Sequence, residues 1–202
     1  MKTIILASAS PRRKALLSAL GLTFEIRAAV VEERESGGPP TFIVESNART
    51  KCMAIAADIQ GDFLVIAADT LVFLDEQVLS KPKDLEHARH MLRMLSGNTH
   101  QVVTGLAVYD AADGRLALGS ESTDVTFRPL SEEEIECFVA AVRPLDRAGA
   151  YTVDGPGSLL VSRYDGCYQN VLGLPIVRLD KLMRQLDHTL FNFIDPARAT
   201  FL

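Results

Sequence analysis

The chain has 202 residues, 48% of them hydrophobic and 23% charged, and carries a formal net charge of −5. This balance excludes a mainly disordered polymer, and no apolar run approaches the roughly 18 residues that a membrane-spanning helix needs. An acidic chain also lacks the basic face that binding to a nucleic-acid polymer requires, although a small anion needs only a local group of cations. The N-terminal apolar stretch is too short for a secretory signal and runs into Arg12-Arg13, so a cytoplasmic protein is expected.

In chain order, Thr3 to Ala7 reads as a short buried strand. Ser10 is placed to cap a helix that has Pro11 at its first position and ends at Gly21. Phe24 to Ala28 is a second strand, followed by the loop Glu32-Glu33-Arg34-Glu35 and the break Gly37-Gly38-Pro39-Pro40. A long helix is predicted from Thr41 to about Ile59. Phe63 to Ala68 forms a third strand that ends at Asp69-Thr70, and Leu71–Phe73 and Gln77–Leu79 form a hairpin around Asp75.

Asp84 caps the next helix, which runs to about Met94 and stops at Ser96-Gly97-Asn98. His100 to Tyr109 and Leu116 to Phe127 are long strands turned by Asp113-Gly114. Ser131 and Glu134 form a capping box for a helix to about Val142. Residues 149–173 are glycine-rich and irregular, with a strand at Leu159 to Arg163, and Pro175 to Leu186 is the last helix. Alternating helices and strands with a long hairpin imply an α/β fold around a mixed sheet. Residues 1–187 form one domain and 188–202 a peripheral tail. The tail's apolar residues (Phe191, Phe193, Ile194 and Phe201) are compatible with packing on the domain or with a homodimer.

Cys52, Cys137 and Cys167 form no C-x-x-C pair and read as reduced thiols. Three segments could carry chemistry. The turn Ser8 to Arg13 combines open backbone N–H groups at a helix start with two hydroxyls and two guanidinium forks, a combination suited to phosphate. Each charge-assisted bond there contributes about 1.5–3 kcal/mol. The alternative is a capped helix with solvated arginines. Asp69, at the end of a buried strand, can ligate Mg²⁺ or take a proton from water, or it can satisfy loop amides. Glu32-Glu33 could complete a carboxylate set beside Asp69 or be a solvated loop. Lys51 and Lys81 are unexceptional in isolation.

Taken together, Ser8-Ala-Ser-Pro-Arg-Arg13, Glu33, Asn47-Ala-x-x-Lys51, Ala68-Asp-Thr70, Lys81-Pro-x-Asp84, Leu95-Ser-Gly97, Val103-Thr-Gly105, Ala148-Gly-Ala-Tyr151 and Asn170-Val-Leu-Gly-Leu-Pro175 resemble the Maf family. These segments match in order from residue 3 to about 186. The resemblance implies an inosine triphosphatase-like fold with two lobes around a cleft. It also implies a nucleoside triphosphate pyrophosphatase that uses Mg²⁺ or Mn²⁺. Asp69 would be the proton acceptor, and Glu33 an acid of the same site, with both acids serving the metal. Ser8, Arg13, Lys51 and Lys81 would contact phosphate. Arg12, Thr70 and Asp154 fall where substrate choice differs within the family. Arg12 and Thr70 resemble the dTTP/UTP subgroup, whereas Asp154 stands where that subgroup usually carries glutamine. An ionised aspartate only accepts hydrogen bonds, so a broadened or shifted base preference is expected. The family's historical description as septum formation inhibitors motivates the rival reading, a non-catalytic nucleotide-binding regulator of cell division.

Overall fold

The structure is a computed structural model and describes residues 2–200; Phe201 therefore lies outside the described residues. The strands are β1 (Thr3–Leu6), β2 (Phe24–Ile26), β3 (Phe63–Leu74), β4 (Gln77–Leu79), β5 (Thr99–Asp110), β6 (Arg115–Phe127) and β7 (Val161–Asp165). The helices are α1 (Pro11–Ala19), α2 (Pro40–Ala57), α3 (Leu85–Leu95), α4 (Glu132–Val142), α5 (Tyr168–Val171) and α6 (Ile176–Gln185). The sheet order is β2-β1-β3-β5-β6-β7, with β4 paired to β3. β1 runs parallel to β2 and β3, whereas β3–β4 and β6–β7 are antiparallel. The expected mixed α/β sheet is thus present.

The chain divides into two compact units. The first contains the residues up to Asp69, Thr104–Glu121 and the residues from Gly173 on; the second contains Thr70–Val103 and Ser122–Leu172. The first unit's core gathers Ile5, Ala7, Ala48, Cys52, Phe63, Val65, Ala67 and Ala107. α2 is drawn onto this core by a stripe at helical spacing: Ile43, Val44, Asn47, Ala48, Lys51 and Cys52 are all buried. Two members of that stripe are polar, which is affordable only where partners meet them. Gly105 of β5 sets how closely α2 approaches. A Cβ there would stand 2.3 Å from the backbone carbon and oxygen of Val44.

Residues 188–200 belong to this first unit. Ile194 bridges to Leu22, the Thr200 N–H donates to the Ala19 carbonyl, and Leu190 is buried. His188 Nε2 lies 2.7 Å from Asp110 Oδ2, and Lys2 donates to the other oxygen of the same carboxylate.

The second unit's core is built by α3 and α4 with the strands. Ala88, Met91, Leu92 and Leu95 form the buried face of α3; Ile135, Phe138 and Val139 form that of α4. Both predicted caps are present. The Asp84 side chain accepts from the His87 N–H, and Ser131 and Glu134 complete a reciprocal capping box. His100, Phe127 and Tyr151 meet edge-to-face inside this unit, with His100 Nε2 2.8 Å from the Tyr151 hydroxyl. Burial pushes the His100 imidazole down to about 4.

Three sequence expectations are corrected. β3 does not end at Ala68; it continues through Asp69 and Thr70 to Leu74. Its pairing with β1 stops at Ile66 and its pairing with β4 starts at Val72. The polar pair therefore occupies a gap between two partners on an unbroken strand. Ser10 precedes α1 but makes no side-chain cap; its own N–H donates to Ser8 Oγ. The strand expected at Leu159–Arg163 is displaced to Val161–Asp165, because Gly155–Leu159 winds into a 3-10 turn started by Gly155 and Pro156. The three cysteines are free thiols, as expected. No helix among the described residues is long and apolar enough to cross a membrane.

Candidate active site

Asp69 is the centre of the site. It is only 3% exposed, and both of its carboxylate oxygens are engaged. Lys51 Nζ lies 2.6 Å from Oδ1, and Asn47 Nδ2 donates to Oδ2 at 2.8 Å. Asn47 and Lys51 are four residues apart on α2, so both project from one face onto one carboxylate. Burying an aspartate is costly without such partners, and here a cation and an amide donor supply them.

The same Lys51 ammonium stands 2.9 Å from Glu33 Oε1. Glu33 sits on the loop between β2 and α2, and its side chain is 42% exposed, so it is the water-facing member of the group. Asn47 also fixes that loop: its Oδ1 accepts from the Arg34 N–H at 2.8 Å, and its Nδ2 donates to the Arg34 carbonyl at 2.9 Å.

The turn between β1 and α1 lies in the same unit. Ser8 is buried, and its Oγ accepts from the Ser10 N–H and from Arg13 Nη1. Arg13 also donates from Nη1 to the Ala68 carbonyl at 2.9 Å and from Nε to the Gly173 carbonyl at 2.8 Å. The Ala68 carbonyl belongs to the stretch of β3 where β1 pairing has ended, so a guanidinium takes over where a strand stops. Arg13 thereby braces the residue next to Asp69. Burial pulls its guanidinium below the ordinary arginine range. The charges of Asp69 and Glu33 oppose that shift, and the charge of Arg12 adds to it.

The first unit therefore brings together Ser8, Arg12, Arg13, Glu33, Lys51 and Asp69. Thr70, Lys81 and Asp154 belong to the second unit. Thr70 follows Asp69 directly and is partly buried, and Lys81 is exposed just after β4. Ser80, beside Lys81, accepts through its carbonyl from the Gly149 N–H. Asp154 is exposed and accepts from the Thr152 hydroxyl. Tyr168 donates its phenol proton to the Val153 carbonyl and meets Tyr164 edge-on at 5.4 Å. Burial, and then the charge of Asp154, raise the Tyr168 phenol.

Asn47 lies within the Asn47-Ala-x-x-Lys51 motif, which by itself assigns it no role. The available signal was its spacing of four from Lys51 on a helix. Tyr168-Gln-Asn-Val also resembles the dTTP/UTP subgroup, but that Tyr168 lies beside Asp154 is not visible in the sequence.

The donor set suits a hard divalent cation of the Mg²⁺ kind. Such an ion takes one or two protein carboxylates and completes its shell with phosphate oxygens and water. Asp69 and Glu33, both within reach of one ammonium, are such a pair of acids. Among the described residues, no group of three or more His, Cys, Asp or Glu side chains forms an all-protein cage.

The family model described as Maf-like protein matches residues 3–186. The chain belongs to the Maf family. Its relatives include proteins named dTTP/UTP pyrophosphatase. The one from Pelotomaculum thermopropionicum is 46% identical over 93% of this chain and 98% of that protein. The one from Moorella thermoacetica is 46% identical over 91% of this chain and 94% of its own length. The one from Bacillus anthracis is 44% identical over 93% and 97%, respectively. Among solved structures, a nucleoside-triphosphatase (dITP/XTP pyrophosphatase) of Mycobacterium abscessus has a TM-score of 0.41 at 19% identity, covering 64% of this chain and 76% of that one. That likeness is too slight to add to the family assignment. The Maf motif positions Ser8, Arg13, Glu33, Lys51 and Asp69 all fall in the first unit.

Proposed function

We propose that this chain is a nucleoside triphosphate pyrophosphatase that cleaves (d)NTPs to a nucleoside monophosphate and diphosphate. Its favoured substrates are pyrimidine triphosphates of the dTTP and UTP kind, and it clears the cytoplasmic nucleotide pool. The observation that carries this reading is the buried Asp69 carboxylate, held on one oxygen by Lys51 and on the other by Asn47, with Glu33 on the same ammonium. Relatives of nearly equal length named for this activity support it.

The reaction asks for three things from these side chains. Water must be oriented and must lose a proton as its oxygen attacks the α-phosphorus. A carboxylate does this, and Asp69 takes the proton. The bond from the α-phosphorus to the bridging oxygen then breaks, and diphosphate leaves with the electron pair. Negative charge on the phosphate tail must be offset, and Lys51 and Arg13 supply cations in the first unit. A divalent cation, when bound by Asp69 and Glu33, adds Lewis-acid stabilisation of that charge.

In the ligand-free protein the single positive charge of Lys51 faces the two carboxylates of Asp69 and Glu33. A triphosphate, with about four negative charges near neutral pH, competes for the same ammonium and so frees Asp69 Oδ1 to accept a proton. Lys81 takes the phosphate role implied by the family motif, and Lys81→Ala is expected to raise KM. Asp154 and Thr70 set base preference, with Arg12.

The test is a panel of canonical and modified triphosphates incubated with Mg²⁺ or Mn²⁺ and scored for diphosphate. Release from dTTP or UTP supports the proposal. Binding without release favours a nucleotide sensor, and orthophosphate as the product favours a phosphomonoesterase. The same panel on Asp154→Gln reports on the base. A sharpened preference for dTTP and UTP is expected, and identical profiles would show that residue 154 does not read it.

A further inference from the structure

Asn47 occupies a position that packing alone would give to an apolar residue. It is 2% exposed and lies in the α2 stripe with Ile43, Val44, Ala48 and Cys52. A buried amide is costly unless its donors and acceptor are met. Here all three are. An ionised carboxylate only accepts, so the amide nitrogen must face Asp69. Its second N–H goes to the Arg34 carbonyl, and its oxygen takes the Arg34 N–H. The pair of bonds to Arg34 imitates a neighbouring strand, on a loop that has none.

These contacts close a ring. Asn47 holds Asp69, Asp69 holds Lys51, Lys51 holds Glu33, and Glu33 is covalently joined to Arg34, which returns to Asn47. We propose that Asn47 is a positioning residue for the pyrophosphatase reaction, fixing the Asp69 carboxylate and the Glu33 loop as one rigid set. This inference rests on the function proposed above. Asn47 donates to Oδ2 of Asp69 and Lys51 to Oδ1, so Oδ1 is the oxygen at which an incoming proton replaces Lys51. It also keeps Glu33 at a fixed distance from that oxygen by anchoring the backbone one residue away. Loss of such positioning slows the chemical step more than it weakens phosphate binding, because Ser8, Arg13, Lys51 and Lys81 are untouched.

The test compares wild type, Asn47→Leu, Asn47→Asp and Thr50→Ala by diphosphate release from dTTP with Mg²⁺. Amide hydrogen exchange at Arg34 is measured on the same proteins. Leucine has the same number of side-chain heavy atoms with the same branching and removes every bond. Aspartate keeps the acceptor for the Arg34 N–H and loses both donors, the one to Asp69 and the one to the Arg34 carbonyl. Thr50 lies on the exposed side of α2, and its hydroxyl only returns to the Ser46 carbonyl.

Both Asn47 variants should lose roughly 10- to 100-fold in kcat with KM within about threefold of wild type. Thr50→Ala should match wild type in both. Exchange at Arg34 should accelerate in Asn47→Leu and much less in Asn47→Asp. If Asn47→Leu does not fold, Asn47→Asp decides. A folded variant with kcat within about twofold of wild type, or a loss confined to KM, overturns the inference. Unchanged exchange at Arg34 in Asn47→Leu overturns it as well. A wild-type protein that releases no diphosphate from any triphosphate overturns the proposed function instead, and this inference with it.

Discussion

Lys51 and Asp69 form an ion pair of 2.6 Å in which both side chains are buried. Removing one member of such a pair strands the other, which costs more than the pair itself contributes. Lys51→Met should therefore destabilise the protein by about 3–5 kcal/mol. The double variant Lys51→Met/Asp69→Asn should recover part of that loss. Urea unfolding of the two singles and the double gives the coupling, and additive losses would contradict the buried pair.

Asp69→Asn keeps the size of the side chain and removes its capacity to take a proton. Turnover should fall by about 10²–10⁴-fold, the usual contribution of a general base. Circular dichroism and melting should show a folded protein. Near-normal turnover would remove Asp69 from the chemistry.

Gly105 is required by contact rather than by backbone conformation. A methyl group there would press into the Val44 carbonyl, so α2 must shift. Gly105→Ala should lower stability by about 1–3 kcal/mol or more, as overpacking does. It should also lower kcat, because Asn47 and Lys51 ride on α2. A variant with unchanged melting temperature and turnover would contradict the close approach of α2 to β5.

Much of the local structure was legible in the sequence because its causes are local. The Asp84 cap and the Ser131–Glu134 box each lie within four residues, and both formed as read. The Ser10 side chain caps nothing; the bond formed at this turn runs instead from the Ser10 main-chain N–H to Ser8 Oγ, two residues upstream. Asp69-Thr70 looked like a strand end because polar residues interrupt an apolar run. Only the register shows that the strand continues from its last β1 pair at Ile66 to its first β4 pair at Val72. The acids, the cations and Asn47 were all visible as residue types and spacings. That Asn47 clasps the backbone of Arg34, thirteen residues away through a loop, depends on tertiary packing that no local pattern encodes.

His100 gives the protein an acid-sensitive core. Burial holds its imidazole at about 4, against an ordinary value of 6.5, so the folded protein keeps it neutral. Below pH 6.5 the unfolded chain binds a proton that the folded one refuses. Stability from this group is therefore complete above about pH 6.5 and declines as pH falls from 6.5 to 4. The full loss is on the order of 3 kcal/mol. Denaturant unfolding across that range should show a slope in wild type that flattens in His100→Phe. Equal slopes in the two proteins would contradict the neutral, buried imidazole.

In the proposed reaction, water attacks the α-phosphorus of a triphosphate at Asp69. Hydrolysis of dTTP in water enriched with oxygen-18, followed by mass measurement of both products, tests it most directly. One heavy oxygen in the nucleoside monophosphate, unlabelled diphosphate, and loss of both products in Asp69→Asn are expected. Label in the diphosphate, or orthophosphate as the product, would contradict it.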